Sequence, residues 1–444
     1  MNYKELNFAN EVTEMIKNGN KFKGDENDID IEFNPEMFDF IVREFKSKKN
    51  IMNLLEELRI ISGIYLRFFY FEEFKKSGLC ELLVQNLSSN NTDISVIMWE
   101  ITTNLVSYSD NIKYANNLID CGLFEQVKYM LNKLNPILEC NYYVFYCLGN
   151  LANISVSIRD QIMMKINSDI ILYYLQNIDT PISTIKIILK MICRLMFDEI
   201  NEEQFNYIFS ILIQTSEFLE FKSKQKLYLQ CLFLLSNNKK FLNYINNRNE
   251  YQNIYSFINN PNKSIKMYII GFTLNMINEY YLNLIKFIPD FILNLQSTSD
   301  KIVFGISNIL AKMIQLTPIS FSMEMIYNIF CFFYSNIERY NLKVKKSLYQ
   351  CILSLINISD TEILNFLLEN KVIHVLFDII LIEDEELTSS SIKQLHHMLN
   401  IYDKETILQQ ITEIDGIYIL QSYLEECKIP ANQELVKDIL NQIM

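Results

Sequence analysis

The chain has 444 residues, of which 50% are hydrophobic, and a formal net charge of -13. This length and apolar content provide a large buried core and exclude a disordered chain, while nine glycines and seven prolines are too few for the turns of a β-sandwich, a propeller or a βαβ array. The acidic charge opposes binding to nucleic acid and anionic lipid and favours basic partners. The composition therefore predicts an all-α fold.

The sequence contains no recognisable membrane-spanning or secretory segment. Its apolar runs, such as residues 326–334, are shorter than the roughly 18 to 20 residues that span a bilayer, and residues 1–15 lack the basic flank and apolar stretch of a secretory signal. The nine cysteines include no Cys-x-x-Cys pair, which is typical of free thiols in a reducing compartment rather than of disulfides or zinc sites. We expect a protein of the cytoplasm and nucleus, without membrane insertion.

Residues 1–34 differ in kind from the rest of the chain. Residues 24–33, GDENDIDIEF, are acidic and lack helical apolar spacing, and the dipeptide Asn34-Pro35 follows them. A residue before proline avoids helical geometry, so this dipeptide indicates a boundary. We expect a flexible acidic tail over residues 1–34 and a repeat domain over residues 35–444.

Helical segments of about 10 to 15 residues follow one another from Pro35 onward, separated by short polar breaks such as residues 87–93, LSSNNTD. One helical position recurs at intervals near the roughly 40 to 47 residues of armadillo or HEAT repeats, with one shorter interval before Phe304. Such repeats stack into a solenoid, and binding residues form a ladder along one face. The recurring position is occupied by Trp99, Tyr146, Ile187, Gln230, Gly271, Phe304 and Gln350.

Several segments resemble importin alpha, the armadillo-repeat adaptor that carries nuclear localisation signals. Residues 146–160, YCLGNLANISVSIRD, are similar to its third repeat, in which a Trp-Ala-Leu-Gly-Asn helix precedes an alanine-glycine-aspartate turn and an Arg-Asp pair. Residues 304–310, FGISNIL, resemble its seventh repeat, and residues 98–107, MWEITTNLVS, its second. Residues 369–381 and 411–424 resemble its eighth repeat and terminal cap.

The resemblance implies both a fold and a function. The fold is a right-handed superhelical solenoid of about ten armadillo repeats. The function is that of an adaptor in nuclear protein import, which binds extended, basic nuclear localisation signals in a concave groove. The implied partners are such basic segments, together with importin beta or an export carrier. Nucleic acid is not among them, and no cofactor is implied.

The resemblance places aromatic and asparagine side chains in that groove. Residues at i and i+4 of a helix share one face, so Tyr146 projects with Asn150, and Phe304 with Asn308. An asparagine amide both donates and accepts hydrogen bonds and can hold an extended backbone, while aromatic rings accept the stems of lysine and arginine. Gly149 is expected to allow close packing against the neighbouring helix. The candidate peptide-binding residues are Trp99, Asn104, Tyr146, Asn150, Asn275, Phe304 and Asn308.

The sequence departs from the importin alpha pattern in several places. An acidic tail stands where the family has an Arg/Lys-rich segment that binds importin beta, and the turn that holds the family's lysine-binding aspartate reads Asn153-Ile154. A non-catalytic armadillo scaffold, which assembles a complex and has lost signal binding, is therefore the alternative function. The other eroded ladder positions hold Ile187, Met191, Gln230, Gln350 and Ser354.

We find no candidate catalytic residues in the sequence. The chain has three histidines, His374, His396 and His397, and the adjacent pair points to different helical faces, which disfavours a metal site. The sequence lacks a glycine-rich phosphate loop and a Gly-x-Ser-x-Gly elbow. We expect neither an enzyme nor a metal or cofactor site.

Overall fold

The protein is described by a computed structural model in which every regular element is helical within the described residues. The chain divides between Phe241 and Leu242 into two compact units, here called the N-terminal and the C-terminal unit. The predicted acidic tail and the boundary at Asn34-Pro35 lie outside the described residues. The structure describes residues 36–47, 51–64, 71–107, 112–196, 200–246, 248, 254–358, 360–382, 384–402 and 404–444.

The N-terminal unit contains short helices that alternate with longer ones, and a 3-10 helix covers Ser216–Leu219. The boundary between the units falls within α14 (Lys239–Asn246). The preceding helices are α1 (Glu36–Lys46), α2 (Ile51–Ile64), α3 (Phe71–Lys76), α4 (Leu79–Asn86), α5 (Thr92–Leu105), α6 (Ile112–Asp120), α7 (Leu123–Leu131), α8 (Cys140–Ile154), α9 (Val156–Lys165), α10 (Ser168–Gln176), α11 (Ile182–Leu195), α12 (Glu202–Ile213) and α13 (Lys222–Leu235).

The C-terminal unit follows the same plan, with 3-10 helices in several of the short positions. Its 3-10 helices are Ile254–Asn259, Tyr281–Phe287, Pro318–Ser320 and Ile337–Arg339. Its α-helices are α15 (Lys263–Tyr280), α16 (Ile288–Asn294), α17 (Asp300–Leu316), α18 (Met323–Asn336), α19 (Leu342–Ile356), α20 (Thr361–Glu369), α21 (Val372–Ile380), α22 (Glu385–Ile401), α23 (Lys404–Glu413), α24 (Gly416–Glu426) and α25 (Pro430–Ile443).

One long helix per repeat forms the framework of each unit. In the N-terminal unit α2, α5, α8, α11 and α13 pack each against the next, and in the C-terminal unit α15, α17, α19, α22 and α25 do the same. Successive long helices of the described chain begin 37 to 48 residues apart, a range that spans the roughly 40 to 47 residues of armadillo and HEAT repeats. We call them the ladder helices and their solvent-facing sides the ladder face. The shorter helices pack against the ladder helices of their own repeat, and apolar side chains fill the space between.

Polar side chains begin several of the helices, and one of them lies in the predicted break at residues 87–93. The side chain of Asn91 accepts hydrogen bonds from the backbone N–H groups of Asp93 and Ile94 at the start of α5, and Asn201 forms a capping box with Gln204 at the start of α12. These oxygens satisfy N–H groups that have no partner within the first helical turn. The many asparagines of the sequence therefore help to set where helices begin.

Candidate functional site

The ladder face of α5 differs by one residue from the predicted register. Trp99 is fully buried, and its Nε1 donates a 3.1 Å hydrogen bond to the carbonyl oxygen of Leu87. The part-exposed residue one turn before Asn104 is Glu100. The expectation that Trp99 lines a surface slot is therefore wrong, because the ring belongs to the core, where its N–H finds a carbonyl partner. Asn104 is on the face, and its Nδ2 donates to Oγ of Ser62 at 3.2 Å.

Three part-exposed tyrosines form a cluster on α8. The ring centroid of Tyr142 lies 5.2 Å from that of Tyr143 and 6.0 Å from that of Tyr146, and both pairs meet edge to face, an arrangement that stabilises aromatic pairs. Burial raises the pKa of Tyr142 and Tyr143, and the nearby carboxylate of Glu100 raises that of Tyr143 further. These phenols are therefore neutral at physiological pH and able to donate and accept hydrogen bonds.

Asn150 lies one turn beyond Tyr146 but is only 5% exposed. Its Nδ2 donates a 3.2 Å hydrogen bond to the carbonyl oxygen of Thr103 on α5, and its Oδ1 accepts a 2.6 Å hydrogen bond from Nη1 of Arg194 on α11. The amide thus links three consecutive ladder helices. The two ends of the amide that were predicted to hold a peptide backbone are both engaged within the protein.

Gly149 allows α8 and α11 to approach each other closely. A Cβ at this position would lie 3.4 Å from both Cα and Cβ of Met191 and 3.2 Å from Nη1 of Arg194. The absence of a side chain leaves room for the guanidinium group that bonds Asn150. The prediction of close packing at Gly149 is confirmed, and it accounts for a glycine in a helix interior, where alanine is favoured by about 1 kcal/mol.

The remaining candidates lie on ladder helices of the C-terminal unit. Asn275 is part-exposed on α15. Phe304 on α17 is 7% exposed, and Nζ of Lys343 on α19 lies 4.8 Å from its ring centroid. Asn308 donates from Nδ2 to the carbonyl oxygen of Phe304 at 3.0 Å. The aromatic slot that was predicted to accept a lysine from a ligand is thus covered by a lysine of the protein itself.

A row of basic side chains on α11 was missed by the sequence reasoning. Lys186, Lys190 and Arg194 recur at i, i+4 and i+8 and so share one helical face. Burial, followed by repulsion from Arg194, Lys186 and Lys226, lowers the pKa of Lys190. Lys226 lies on α13, the ladder helix that packs against α11. We call these four side chains the basic row. Their spacing is visible in the sequence as a local basic pattern within a chain whose net charge is -13.

Arg194 connects the basic row to the tyrosine cluster. Its side chain is 8% exposed, and burial lowers its pKa, which the nearby Tyr146 partly offsets. The guanidinium group therefore lies beneath the surface, held by Asn150, while Lys186 and Lys190 lie nearer to solvent. Aromatic hydroxyl groups and cations consequently meet at the junction of α8 and α11.

The described residues contain no group of three or more His, Cys, Asp or Glu side chains that could hold a metal ion. Buried thiols line the helix contacts instead, and burial raises the pKa of Cys351 to about 12 and also raises that of Cys147. Such thiols are almost entirely protonated at neutral pH and are poor nucleophiles.

In the part of the chain that the structure describes, no helix combines the length and the apolar character needed to cross a bilayer.

Known structures are similar to this chain in fold. No protein-family model and no curated protein matches it. A crystal structure of an engineered protein superposes with a TM-score of 0.69 at 14% identity, covering 93% of this chain and 99% of the other. A designed armadillo repeat protein has a TM-score of 0.47 at 12% identity, covering 54% of this chain and 99% of its own.

A second designed armadillo repeat protein, solved in complex with the peptide (KR)4, has a TM-score of 0.47 at 12% identity, covering 55% of this chain and 98% of its own. At sequence identities this low, structural similarity shows the fold alone. With the helical period and the packing of successive ladder helices, the match to the engineered protein confirms the predicted fold class, an all-α armadillo-repeat solenoid.

Proposed function

We propose that this protein is a non-catalytic adaptor that binds extended segments of other proteins on the ladder face of its N-terminal unit. The observation that carries the proposal is the cluster of Tyr142, Tyr143 and Tyr146, whose part-exposed rings lie side by side on one ladder helix. Tyrosine combines a large apolar ring with a hydrogen-bonding hydroxyl group and is enriched at the energetic centres of protein interfaces. Asn104 on the neighbouring ladder helix adds an amide to the same face.

The resemblance to importin alpha extends this proposal to nuclear protein import. In that form the bound segments are basic nuclear localisation signals, the carrier is importin beta or an export carrier, and the protein works in the cytoplasm and the nucleus. The order of the similar segments along the chain supports this form, as does the position of the part-exposed Tyr146 on a ladder helix. The basic row opposes it, since like charges repel.

A scaffold that assembles a complex through other surfaces is the second candidate function. Two positions of the predicted ladder are engaged by side chains of the protein itself, because Arg194 hydrogen-bonds Asn150 and Lys343 covers the ring of Phe304. Large apolar side chains away from the ladder helices are exposed instead, among them Ile178 and Ile319, each at nearly its full area. Exposed apolar side chains favour protein contacts when they cluster into patches.

Peptide titrations distinguish the two candidates. Short fluorescent peptides of lysine-rich, neutral and acidic composition are titrated into the full chain, a Tyr142→Ser/Tyr146→Ser variant and a Tyr129→Ser control, in which an exposed tyrosine is removed from α7. We expect at least one class to bind saturably and to bind about 10-fold or more weakly to the double variant, with the control unchanged.

Each outcome of this titration has a defined meaning. Saturable binding of the lysine-rich class supports the nuclear import form. Binding of another class alone supports the adaptor and removes the nuclear localisation signal as its ligand. If no class binds, or if the double variant binds as well as the control, the adaptor proposal fails and the scaffold becomes the better account.

A further inference from the structure

We propose that the basic row, formed by Lys186, Lys190, Arg194 and Lys226, binds acidic, extended segments of partner proteins. This inference rests on the proposed adaptor function and assigns the chemical class of the segment. The inferred ligand is acidic, whereas the resemblance to importin alpha implies a basic ligand. Charge, pairing and spacing on the ladder helices support it independently of one another.

The local charge of the site is opposite to that of the whole chain. The ladder helices α11 and α13 carry six lysine and arginine side chains and no carboxylate, whereas the chain as a whole has a net charge of -13. In the described part of the chain, no ion pair joins Lys186, Lys190 or Lys226 to a carboxylate. Mutual repulsion adds to burial in lowering the pKa of Lys190. Carboxylates of a ligand would relieve that repulsion.

Lysines at comparable positions of the C-terminal unit are engaged within the protein. Lys346 lies 2.9 Å from a carboxylate oxygen of Asp384, and Lys345 lies 2.8 Å from one of Glu338. Lys343 covers the ring of Phe304. The ladder lysines of α19 thus have internal partners, whereas Lys186, Lys190 and Lys226 form no ion pair with a carboxylate among the described residues.

The spacing of the basic row suits an extended chain. Four residues of an α-helix rise about 6 Å, which is the separation of Lys186 and Lys190 along α11. An extended chain places every second side chain on the same side, about 6.6 Å apart. A segment with carboxylates at alternate positions therefore matches the two lysines, while Lys226 on the adjoining ladder helix and the buried Arg194 add positive potential. Tyr146 provides an aromatic surface at one end of the row.

A short acidic segment fits this site better than a nucleic acid does. A nucleic acid carries a charge at every phosphate and requires a long basic surface, while the basic row has four cations within a chain of net charge -13. A long polyanion extends beyond the basic row and is repelled by the acidic side chains of the rest of the protein. A short extended segment with a few carboxylates contacts only the basic row and avoids this repulsion.

The test is a titration of the full chain at physiological salt with a fluorescent peptide of alternating aspartate and isoleucine. The same peptide with asparagine in place of aspartate, a lysine-rich peptide and a single-stranded oligothymidylate are titrated in parallel. The row variant is Lys186→Gln/Lys226→Gln, and the matched control is Lys75→Gln/Lys128→Gln, which removes the same charge from exposed positions on the short helices α3 and α7.

We expect the aspartate peptide to bind and to lose about 10-fold in affinity in the row variant, with the control within about twofold of the original chain. The asparagine peptide is expected to bind at least about 10-fold more weakly than the aspartate peptide. Equal affinities in the row variant and the control overturn the inference, as does tighter binding of the oligothymidylate. If a lysine-rich or neutral peptide binds through the tyrosines and the aspartate peptide does not, the inference fails while the adaptor function stands. If no peptide binds, both fail.

The chain's own acidic segment is a competing occupant that the experiment also resolves. Asp28, Asp30 and Glu32 alternate with apolar residues, the pattern that the row is inferred to accept. A full-length Asp28→Asn/Asp30→Asn/Glu32→Gln variant is expected to bind the aspartate peptide with unchanged affinity. An affinity about 10-fold higher in this variant would show that residues 24–33 occupy the row, and the partner proposal would be overturned.

Discussion

Arg194 of α11 donates a 2.6 Å hydrogen bond from Nη1 to Oδ1 of Asn150 on α8, so the residue assigned to peptide binding from the sequence holds a buried cation in place. A guanidinium group that has lost water needs hydrogen-bond acceptors to compensate. Because Asn150 also donates to the carbonyl oxygen of Thr103, one amide stabilises the contacts of α8 with both of its ladder neighbours. The primary role of Asn150 in this structure is therefore to join helices.

Removal of the Asn150 amide is expected to destabilise the protein. Asn150→Ala leaves a buried guanidinium group without one acceptor, and we expect the free energy of unfolding to fall by about 2 to 3 kcal/mol. Asn308→Ala is the control, because Asn308 donates to a carbonyl of its own helix, and it is expected to cost less than about 1 kcal/mol. Urea unfolding followed by circular dichroism measures both. Wild-type stability in Asn150→Ala, combined with lost peptide binding, would show instead that the amide serves a ligand.

Two glycines are expected to respond differently to alanine. A Cβ at Gly416 would lie 2.7 Å from Cζ of Phe377 and 3.0 Å from Cγ2 of Ile411, and overpacking of this kind costs about 1 to 3 kcal/mol. At Gly149 the tightest contact is 3.2 Å, to the end of the Arg194 side chain, and the helix preference for alanine opposes the clash. Gly149→Ala is therefore expected to change the free energy of unfolding by less than about 1 kcal/mol. Equal losses in the two variants would contradict this difference.

Tyr114→Phe is expected to reduce the loss of stability at alkaline pH. Burial, with a smaller contribution from Glu73, raises the pKa of Tyr114 to about 12, and its buried hydroxyl group has no hydrogen-bond partner among the described residues. The folded state keeps this proton above pH 10, whereas the unfolded chain releases it near pH 10. The free energy of unfolding therefore falls as pH rises from about 10 to 12, by up to about 1.4 kcal/mol per pH unit.

The phenylalanine variant has no such proton, and it also loses an unpaired buried hydroxyl group. We expect Tyr114→Phe to equal or exceed the original chain in stability at pH 7 and to lose less stability above pH 10. Urea midpoints at several pH values test this expectation. A steeper alkaline decline in the variant than in the original chain would refute it.

Removal of the charge at Lys190 is expected to stabilise the protein at low salt. Burial and repulsion from three neighbouring cations disfavour the charged form of Lys190, so Lys190→Met keeps the apolar stem and removes the penalty. The melting temperature is expected to rise at low ionic strength, and the gain is expected to shrink as salt screens the repulsion. Lys128→Met, at an exposed position on α7, is the control, for which no comparable gain is expected in differential scanning fluorimetry.

The fold was predictable because its signals are local. Apolar runs of helical length and polar breaks such as residues 87–93 are patterns of neighbouring positions in the sequence. The period near 40 residues is the repetition of these local patterns along the chain. Gly149 was interpreted correctly for the same reason, since a glycine within an apolar helix indicates a close approach. The repeat architecture follows from these local patterns.

The site was less predictable because its contacts are not local. Trp99 and Glu100 are adjacent in the sequence, and only the direction in which α5 packs decides which of them faces solvent. Asn150 is engaged by Arg194, 44 residues away, and Phe304 is covered by Lys343 of the next ladder helix. Spacing within one helix predicts which residues share a face, but neighbouring helices decide whether that face is open.

The opposition between the net charge of -13 and the basic row has a kinetic consequence. At low ionic strength an approaching acidic segment is repelled by the whole molecule before it comes near Lys186 or Lys190. At physiological ionic strength charges more than about 8 Å apart are largely screened, and the row dominates the encounter at short range. The association rate is therefore expected to rise with added salt, pass through a maximum and then fall, a profile that a uniformly acidic or uniformly basic protein would not produce.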